Sequence, residues 1–477
     1  MTQPIRRPRP APWLVVGALV ALAIGARLAG VVAGDPAGLE EPLLAVAPAA
    51  EMAMPVAPGD RSQPVERPVG DTLPAVAPSG ELADIRADID FWATRLEANP
   101  ADIVSAVRLA EVHVAEARVT GDATAYARAE AAADAALDAQ PRYGPAQAVK
   151  AGILVALHRF AEARTLATAV LERTPDDPTA LGVLGDASLE LGDLGTARTA
   201  YADLSTLADG SAARLRQGRL AFLSGDPRTA IDATRGATVA AHDEGLEDDS
   251  LAFPWVTLGE LLRATGDEHG ARSAYETALE ARPGHPAANV GLARLDAFAG
   301  DLDSAIGHLD PALAAVPNPD WFALRAELLT RRGSTGDAAA ADGDRATIDA
   351  IAALADDVAG VYDRGLALYL ADTAIDPDRA VRLAEAELVV RPDLYGHDTL
   401  AWALFAAGRA REAQGPMTRA LDAGTRDARL WMHAGLIAAA NGDGEAARTY
   451  LADALALGPA LDPMARERAE AALADLP

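Results

Sequence analysis

The sequence predicts an all-α fold, a solenoid of antiparallel helix pairs, and three observations support this prediction. Half of the residues are apolar but only 4% are aromatic, and alanine, the strongest helix former, is abundant. Gly-Asp dipeptides separate apolar residues spaced three and four apart, which indicates short amphipathic helices joined by tight turns. The pattern repeats after 34 residues, a period typical of helical solenoids: Gly266, Ala271, Ala278 and Pro283 recur as Gly300, Ala305, Ala312 and Pro317.

Charge and composition exclude several classes of function. With 42 basic and 70 acidic residues, the net charge of −28 would repel a phosphate backbone, so nucleic acid is not expected as a partner. The absence of cysteine excludes disulfides, thiolate metal sites and cysteine nucleophiles. Lys150 is the only lysine, so phosphate-loop and Schiff-base chemistry have a single candidate residue.

The N-terminal end has the pattern of a membrane-targeting segment. Residues 1–12 are basic and contain no acid, and residues 13–34 are apolar or small except for Arg27. This segment is predicted to be an uncleaved transmembrane anchor, and a cleaved signal sequence is the alternative. Because the basic end stays inside, both interpretations place the bulk of the protein outside the cytoplasm, either bound to the cell membrane by a single span or secreted.

Residues 35–80 form a different kind of segment. Prolines recur throughout it among Ala, Val, Glu and Asp, and it has no sustained helical or strand period. Because regular proline blocks helices and sheet ladders, we predict a disordered linker that acts as a spacer.

From residue 81 onward the chain is predicted to be helical. Residues 81–319 contain a leading helix and a first array of repeats. Residues 320–357 form a degenerate repeat, with a loose Gly/Ala/Asp linker at 333–344, and we expect a hinge there. Residues 358–477 hold a second array that ends in a polar capping helix, Asp462 to Leu476, which shields the end of the array.

The recurring residues have distinct roles in a helix pair. Glycine can adopt the left-handed conformation that ends one helix, and the following aspartate can accept hydrogen bonds from the free N–H groups that begin the next. Gly-Asp occurs at 121, 192, 225, 266, 300, 336 and 442. Alanines such as Ala271 and Ala278 allow neighbouring helices to approach closely, and Tyr275 fills the space beside them.

The repeats resemble the tetratricopeptide repeat. One unit carries Trp255, Leu258, Gly259, Leu262, Ala271, Tyr275, Ala278 and Pro283, and another carries Trp431, Gly435, Ala447, Ala454 and Pro459. Roughly nine or ten units cover residues 101–461. The resemblance implies a right-handed superhelix whose first helices line a concave groove, and an interaction scaffold for protein or peptide partners. It implies no single activity, and we identify the chain with the membrane-anchored bacterial type.

The groove-lining positions that the resemblance implies contain two sets of candidate binding residues. The charged set could bind carboxylates or an acidic peptide, or could be paired with neighbouring acids: Arg219, Glu260, Arg263, Arg294, Arg331 and Arg332. The aromatic set could hold apolar or proline-rich side chains or stack on sugars, or could be core: Tyr362, Tyr369, Tyr395, Trp402 and Phe405.

No catalytic constellation, metal-binding spacing or cofactor fingerprint occurs in the sequence. The leading hypothesis is therefore a non-catalytic scaffold that is tethered to the membrane through residues 13–34 and binds protein or peptide partners in its groove. A module that binds an envelope polymer or glycan is the alternative, and an enzyme with a helical-repeat active site is a remote one. No metal or cofactor is predicted, and the sequence leaves the oligomeric state open.

Overall fold

The computed structural model describes residues 82–120, 122–357 and 363–476, and within them the fold is entirely helical. This part of the chain contains 22 α-helices, one 3-10 helix and no strand, which confirms the predicted fold class. The predicted basic segment, apolar segment and proline-rich linker lie outside the described residues. None of the described helices is long and apolar enough to span a bilayer.

The helices run in chain order as follows: α1 Leu82–Ala98, α2 Ile103–Thr120, α3 Ala123–Ala139, α4 Gly144–Ala156, α5 Phe160–Leu171, α6 Pro178–Glu190, α7 Leu194–Leu207, α8 Ser211–Leu223, α9 Pro227–Asp243, α10 Asp248–Ala264, α11 Glu268–Ala281, α12 Pro286–Ala299, α13 Leu302–Ala315, α14 Pro319–Arg332, α15 Asp337–Asp357, α16 Asp363–Thr373, α17 Pro377–Val390, α18 Leu394–Ala406, α19 Ala410–Leu421, α20 Ala428–Ala440, α21 Gly444–Ala456 and α22 Pro463–Asp475. The 3-10 helix, Gly458–Ala460, lies between α21 and α22.

Helices α2 to α21 form ten consecutive antiparallel hairpins, with α1 packed on the first and α22 on the last. The first helix of a hairpin also contacts the first helix of the next one along most of the array, whereas the second helices pack mainly within their own hairpin and on the following one. The first helices therefore form an inner layer and the second helices an outer layer.

The Gly-Asp turns have the predicted conformation. The glycines at 192, 225, 266, 300, 336 and 442 all have a positive φ. The aspartates at 193, 226, 267, 301 and 443 each accept a hydrogen bond from a backbone N–H in the first turn of the following helix. These local signals end one helix and begin the next within two residues.

Small residues and tyrosines interlock as the spacing predicts. Ala271, Ala278 and Tyr275 are fully buried. The Tyr275 ring lies between Gly259 and Gly291, where a Cβ atom would come within 2.5 and 2.3 Å of the ring. The two glycines, on neighbouring first helices, therefore leave room for the ring. The ring in turn sets how closely those helices pack.

The prediction of a loose linker at 333–344 is wrong for most of that stretch. Helix α15 already begins at Asp337. Arg332 binds the Asp337 carboxylate at 2.7 Å, and Asp337 also accepts a hydrogen bond from the Ser334 N–H at 2.8 Å. Ala341 is fully buried, so tertiary contacts hold as a helix a stretch whose Gly and Asp content favours a loop. The hinge predicted here stays a prediction.

The array returns upon itself after six hairpins. Arg391 binds Glu190 at 2.6 Å, the Thr425 hydroxyl donates to the Leu223 carbonyl 202 residues away, and Gly225 lies against Gly424. We call this line of contacts the seam. It encloses a space bounded by the inner faces of α10, α12, α14, α16, α18 and α20, which we call the lumen.

Candidate functional site

The lumen is the concave surface on which four of the six charged candidate residues lie. Arg294 of α12, Asp372 of α16 and Arg429 of α20 all lie close enough to Asp320 of α14 to act on its charge. A Cβ atom at Gly365, near the start of α16, would lie 3.4 Å from the Asp320 carboxylate. First helices from both halves of the chain therefore contribute to one charged surface.

Asp320 and Arg429 differ from the other charged residues of the lumen. Asp320 is solvent-exposed and Arg429 is partly exposed, yet protein surrounds both groups. Desolvation by this surrounding protein raises the pKa of the Asp320 carboxyl, although Arg429 and Arg294 act against the shift. Among the described residues, neither side chain has a hydrogen-bond partner or an ion pair within 4.0 Å.

Three of the predicted arginines lie in the lumen and bind groups from the C-terminal end of the chain. Arg263 donates to the Pro459 carbonyl at 3.1 Å and also binds Glu260 at 2.8 Å. Arg294 lies 3.3 Å from the Asp462 carboxylate. Arg331 makes a forked pair with Glu467, in which Nη2 donates to Oε2 at 2.9 Å.

Glu260 belongs to the same surface. The Tyr275 hydroxyl donates to its carboxylate at 2.5 Å. Burial opposes ionisation of Glu260, but the charges of Arg263 and Arg294 outweigh it, and the pKa of the carboxyl is lowered. Glu260 is therefore a fixed negative charge that orients Arg263 towards the C-terminal segment.

Arg219 and Arg332 lie away from this convergence. Arg219 is buried at the seam, where it shares the Glu190 carboxylate with Arg391. Although burial of Glu190 favours its neutral form, these two cations lower its pKa. Arg332 points to the outer layer, where it binds Asp337 at 2.7 Å and Asp303 at 2.9 Å.

The aromatic set is mostly packed inside the array. Trp402 is 1% exposed, and its ring stacks on His433 at 4.1 Å and on Phe405 at 5.0 Å between centroids. Its indole N–H donates to Asp372 at 2.9 Å. Tyr369 is buried.

The remaining aromatic residues are less enclosed. Phe405 and Tyr395 are partly exposed, and the Tyr395 hydroxyl lies 3.3 Å from Asp427. Tyr362 lies outside the described residues. Of the four members that the structure describes, two are therefore buried and two are partly exposed.

Sequence reasoning missed the residues that join the two predicted sets. Arg468 of α22 stands over the Trp402 ring, 5.4 Å from its centroid, and donates to the Asp372 carbonyl at 3.0 Å. Helix α22 therefore lies between the arginines of α12 and α14 and the aromatic core of α18. The capping helix was predicted to shield the array end, and no local pattern indicated this second position.

Among the described residues, no group of three or more His, Asp or Glu side chains is arranged to hold a metal ion. The lumen provides guanidinium groups that can bind carbonyls and carboxylates. It also presents Asp320 and Arg429, two accessible charged side chains that have no direct partner among the described residues.

Comparison with known proteins identifies the repeat. Models of the tetratricopeptide repeat family match residues 149–212, 262–328 and 399–462. No curated protein matches the sequence. Repeats of this family are typically non-catalytic modules that bind proteins or peptides, so the fold supports a protein-protein interaction scaffold.

Several solved structures are similar to the chain at low identity. PilW, described as a widely conserved type IV pilus biogenesis factor, is 18% identical, with 44% of this chain and 93% of that one covered and a TM-score of 0.38. A tetratricopeptide repeat protein from Parabacteroides merdae is 17% identical, with coverage of 56% and 98% and a TM-score of 0.31. Yeast Tom70 is 12% identical, with coverage of 82% and 92% and a TM-score of 0.33.

The family matches fall on three separate parts of the array, and buried alanines and aspartate-capped turns occur both inside the matched residues, at Asp193 and Ala197, and outside them, at Asp226 and Ala230. The chain contains tetratricopeptide repeats.

Proposed function

We propose that the protein is a non-catalytic scaffold that binds a segment of a protein partner in the lumen. Two charged side chains of the lumen, Asp320 and Arg429, carry this proposal. Both belong to first helices, both remain accessible, and neither is neutralised by a direct ion pair within the described residues. Enclosed charges interact more strongly than charges on an open surface, so a segment that supplies complementary groups would gain binding energy there.

The experiment uses the full chain, purified in detergent, as bait for the proteins of the solubilised envelope. Arg429→Gln removes the lumen charge with little change in size, and Asp320→Asn does the same on the facing side. Arg411→Gln is the matched control, because Arg411 is exposed on the outer helix α19.

We expect the wild-type chain and the Arg411→Gln variant to recover the same partners, and the two lumen variants to lose them while melting at a similar temperature. Equal recovery by all four proteins would rule out the lumen as the binding site.

The proposal also includes tethering to the cell membrane and display outside the cytoplasm. Its support is the basic residues 1–12 followed by the apolar residues 13–34. Protease added to intact spheroplasts should degrade a C-terminal tag on the chain, and the intact mass of the protein should retain residues 1–34. A protected tag would contradict display, and a shortened mass would indicate secretion after cleavage instead.

Glycan binding receives less support than protein binding. Stacking on a sugar needs an exposed aromatic face, and Trp402, the largest ring of the predicted set, is covered by His433, Phe405 and Arg468.

A further inference from the structure

The segment that runs from the 3-10 helix through α22, residues 458–475, occupies the lumen as a ligand would. We call it the C-terminal segment. Its first part lies against α10 and α12: the Pro459 and Ala460 carbonyls accept hydrogen bonds from Arg263 at 3.1 and 3.3 Å, and a Cβ atom at Gly458 would lie 3.6 Å from the Phe298 ring. Arg263 therefore binds backbone carbonyls here, and any chain of the same conformation would present such carbonyls.

The middle of the C-terminal segment is held by charge. Arg294 lies 3.3 Å from Asp462, and Arg331 forms its forked pair with Glu467. Glu327, which pairs with Arg331 on α14 at 2.9 Å, lies near the Met464 N–H at the start of α22. These contacts are the forked and charge-assisted bonds by which arginine grooves recognise acidic peptides.

The opposite side of the C-terminal segment faces the second half of the array. Arg468 donates to the Asp372 carbonyl and covers the Trp402 ring. Arg466, by contrast, contacts the first half: it lies over the ring of Phe298 on α12, 5.1 Å from the centroid. The segment therefore spans inner helices from both halves, whereas a simple cap would contact only the last hairpin.

Helix α22 is weakly anchored for a helix in this position. Ala469 is its only fully buried residue, and Met464 is 38% exposed. By comparison, α20 buries eight of its residues. Because most of the attachment of α22 is polar and partly exposed, a segment with the same groups could replace it at little net cost in free energy.

We propose that the C-terminal segment is a built-in ligand that covers the lumen, and that a protein partner binds by displacing it with a helix of the same chemistry. That helix would follow a tight turn with free carbonyls, would carry two carboxylates five residues apart for Arg294 and Arg331, and would carry an arginine for Asp372. This inference rests on the proposed function, because it names the kind of partner segment that the lumen accepts.

The test uses a fluorescent synthetic peptide of residues 458–475 as the probe and the full chain as the receptor. The tethered segment competes at an effective concentration on the order of a millimolar, so wild-type protein should bind the peptide weakly. A chain carrying Asp462→Asn and Glu467→Gln keeps the segment but weakens its attachment. We expect it to bind the wild-type peptide about tenfold more tightly.

Two controls show whether the gain comes from the arginines of the lumen. Adding Arg294→Gln and Arg331→Gln to the weakened chain should abolish the gain, and a peptide with Asn and Gln at the two acidic positions should not show it. If the weakened chain binds the peptide no better than wild type, the C-terminal segment is a fixed cap and the proposal is overturned.

A second measurement does not depend on the folding of these variants. Because the chain has no cysteine, Ala314→Cys on α13 and Ala471→Cys on α22, both at exposed positions, can be spin-labelled specifically in the otherwise unaltered chain. Excess peptide should broaden and lengthen the distance distribution between the labels. A distribution unaltered by saturating peptide would contradict displacement.

The two proposals can fail separately. If partners are captured through Arg429 but the peptide does not exchange, the scaffold function stands and the built-in ligand is rejected. If the peptide exchanges but no envelope protein is captured by wild-type or weakened chain, the scaffold function is rejected and the lumen is only self-complementary.

Discussion

Trp402 shows how a single side chain is positioned by the neighbouring helices of a repeat array. Its ring is stacked on His433 of the next first helix, its N–H donates to Asp372 of the preceding one, and the Arg468 guanidinium lies 5.4 Å from its centroid. A residue held in this way belongs to the hydrophobic core. Its contribution to stability is the buried volume and the hydrogen bond that a smaller side chain would lose.

We therefore expect Trp402→Ala to lower the free energy of unfolding by about 3–5 kcal/mol, the usual cost of deleting a buried large aromatic side chain. Urea unfolding followed by circular dichroism measures it. Trp431→Ala is the control, because Trp431 is only partly buried and should cost clearly less. Equal losses for the two variants would show that Trp402 does not pack as described.

The charged residues illustrate what spacing alone can and cannot predict. The positions of Arg263, Arg294 and Arg331 on inner faces follow from the repeat, so their location could be read from the sequence. Their partners could not, because Pro459, Asp462 and Glu467 are well over a hundred residues away in the chain. Arg332 shows the opposite case, since one further residue along α14 turns the side chain to the outer layer.

At the scale of the element, α22 is the helix whose role depends most on its neighbours. Its surroundings include Glu327, which lies near the Met464 N–H, Asp462 and Arg331. Burial, helped by the Asp462 charge and opposed by Arg331, raises the pKa of Glu327 from 4.5 to about 6. An ionised Glu327 is therefore less stable in the folded protein than in the unfolded chain.

The sign of the pH dependence follows from that shift. A raised carboxyl pKa contributes stability that is fully present below pH 4.5 and is lost as the pH rises through about 6. Glu327→Gln mimics the protonated group at every pH. We expect the variant to match wild type near pH 4.5 and to exceed its stability by about 2 kcal/mol at pH 7.5.

Urea unfolding of both proteins at the two pH values measures this difference, and titrations shared by both proteins cancel in the comparison. A stability difference that does not change between pH 4.5 and 7.5 would contradict the raised pKa and the placement of Glu327 against α22.

At the scale of the whole molecule, the seam converts an extendable array into a closed one. Gly225 approaches Gly424 so closely that a Cβ atom would lie 2.3 Å from the Gly424 carbonyl oxygen. Gly300 is the matched control, because its φ of +84 is similar to the +79 of Gly225 but nothing lies within 4 Å of its Cβ position.

Both Gly225→Ala and Gly300→Ala should lose about 1–2 kcal/mol, because alanine is disfavoured in the left-handed conformation. Gly225→Ala should lose about 1–3 kcal/mol more from overpacking at the seam. We also expect only this variant to show a larger radius of gyration by small-angle X-ray scattering. Identical stability and scattering for the two variants would show that the seam is not closed in solution.

The sequence by itself determined most of the helices, their pairing and, for Arg263, Arg294 and Arg331, the inner layer in which they lie. These features depend on contacts within one hairpin or between neighbours: a left-handed glycine, a capping aspartate, and alanines and glycines that leave room for a tyrosine. These local sequence signals act within the 34-residue period, and their repetition makes them recognisable in the sequence. Even so, the Gly and Asp content of residues 337–344 was misleading where tertiary contacts imposed a helix.

The tertiary structure decided the seam, the lumen and the position of the C-terminal segment. Each hairpin is rotated slightly against the next, and six such rotations bring Glu190 to Arg391 and Leu223 to Thr425. No residue pattern within a single repeat predicts the size of that rotation, and small differences in rotation accumulate along the array. The partners of the inner arginines therefore depend on the sum of all the hairpin packings, which only the folded chain reveals.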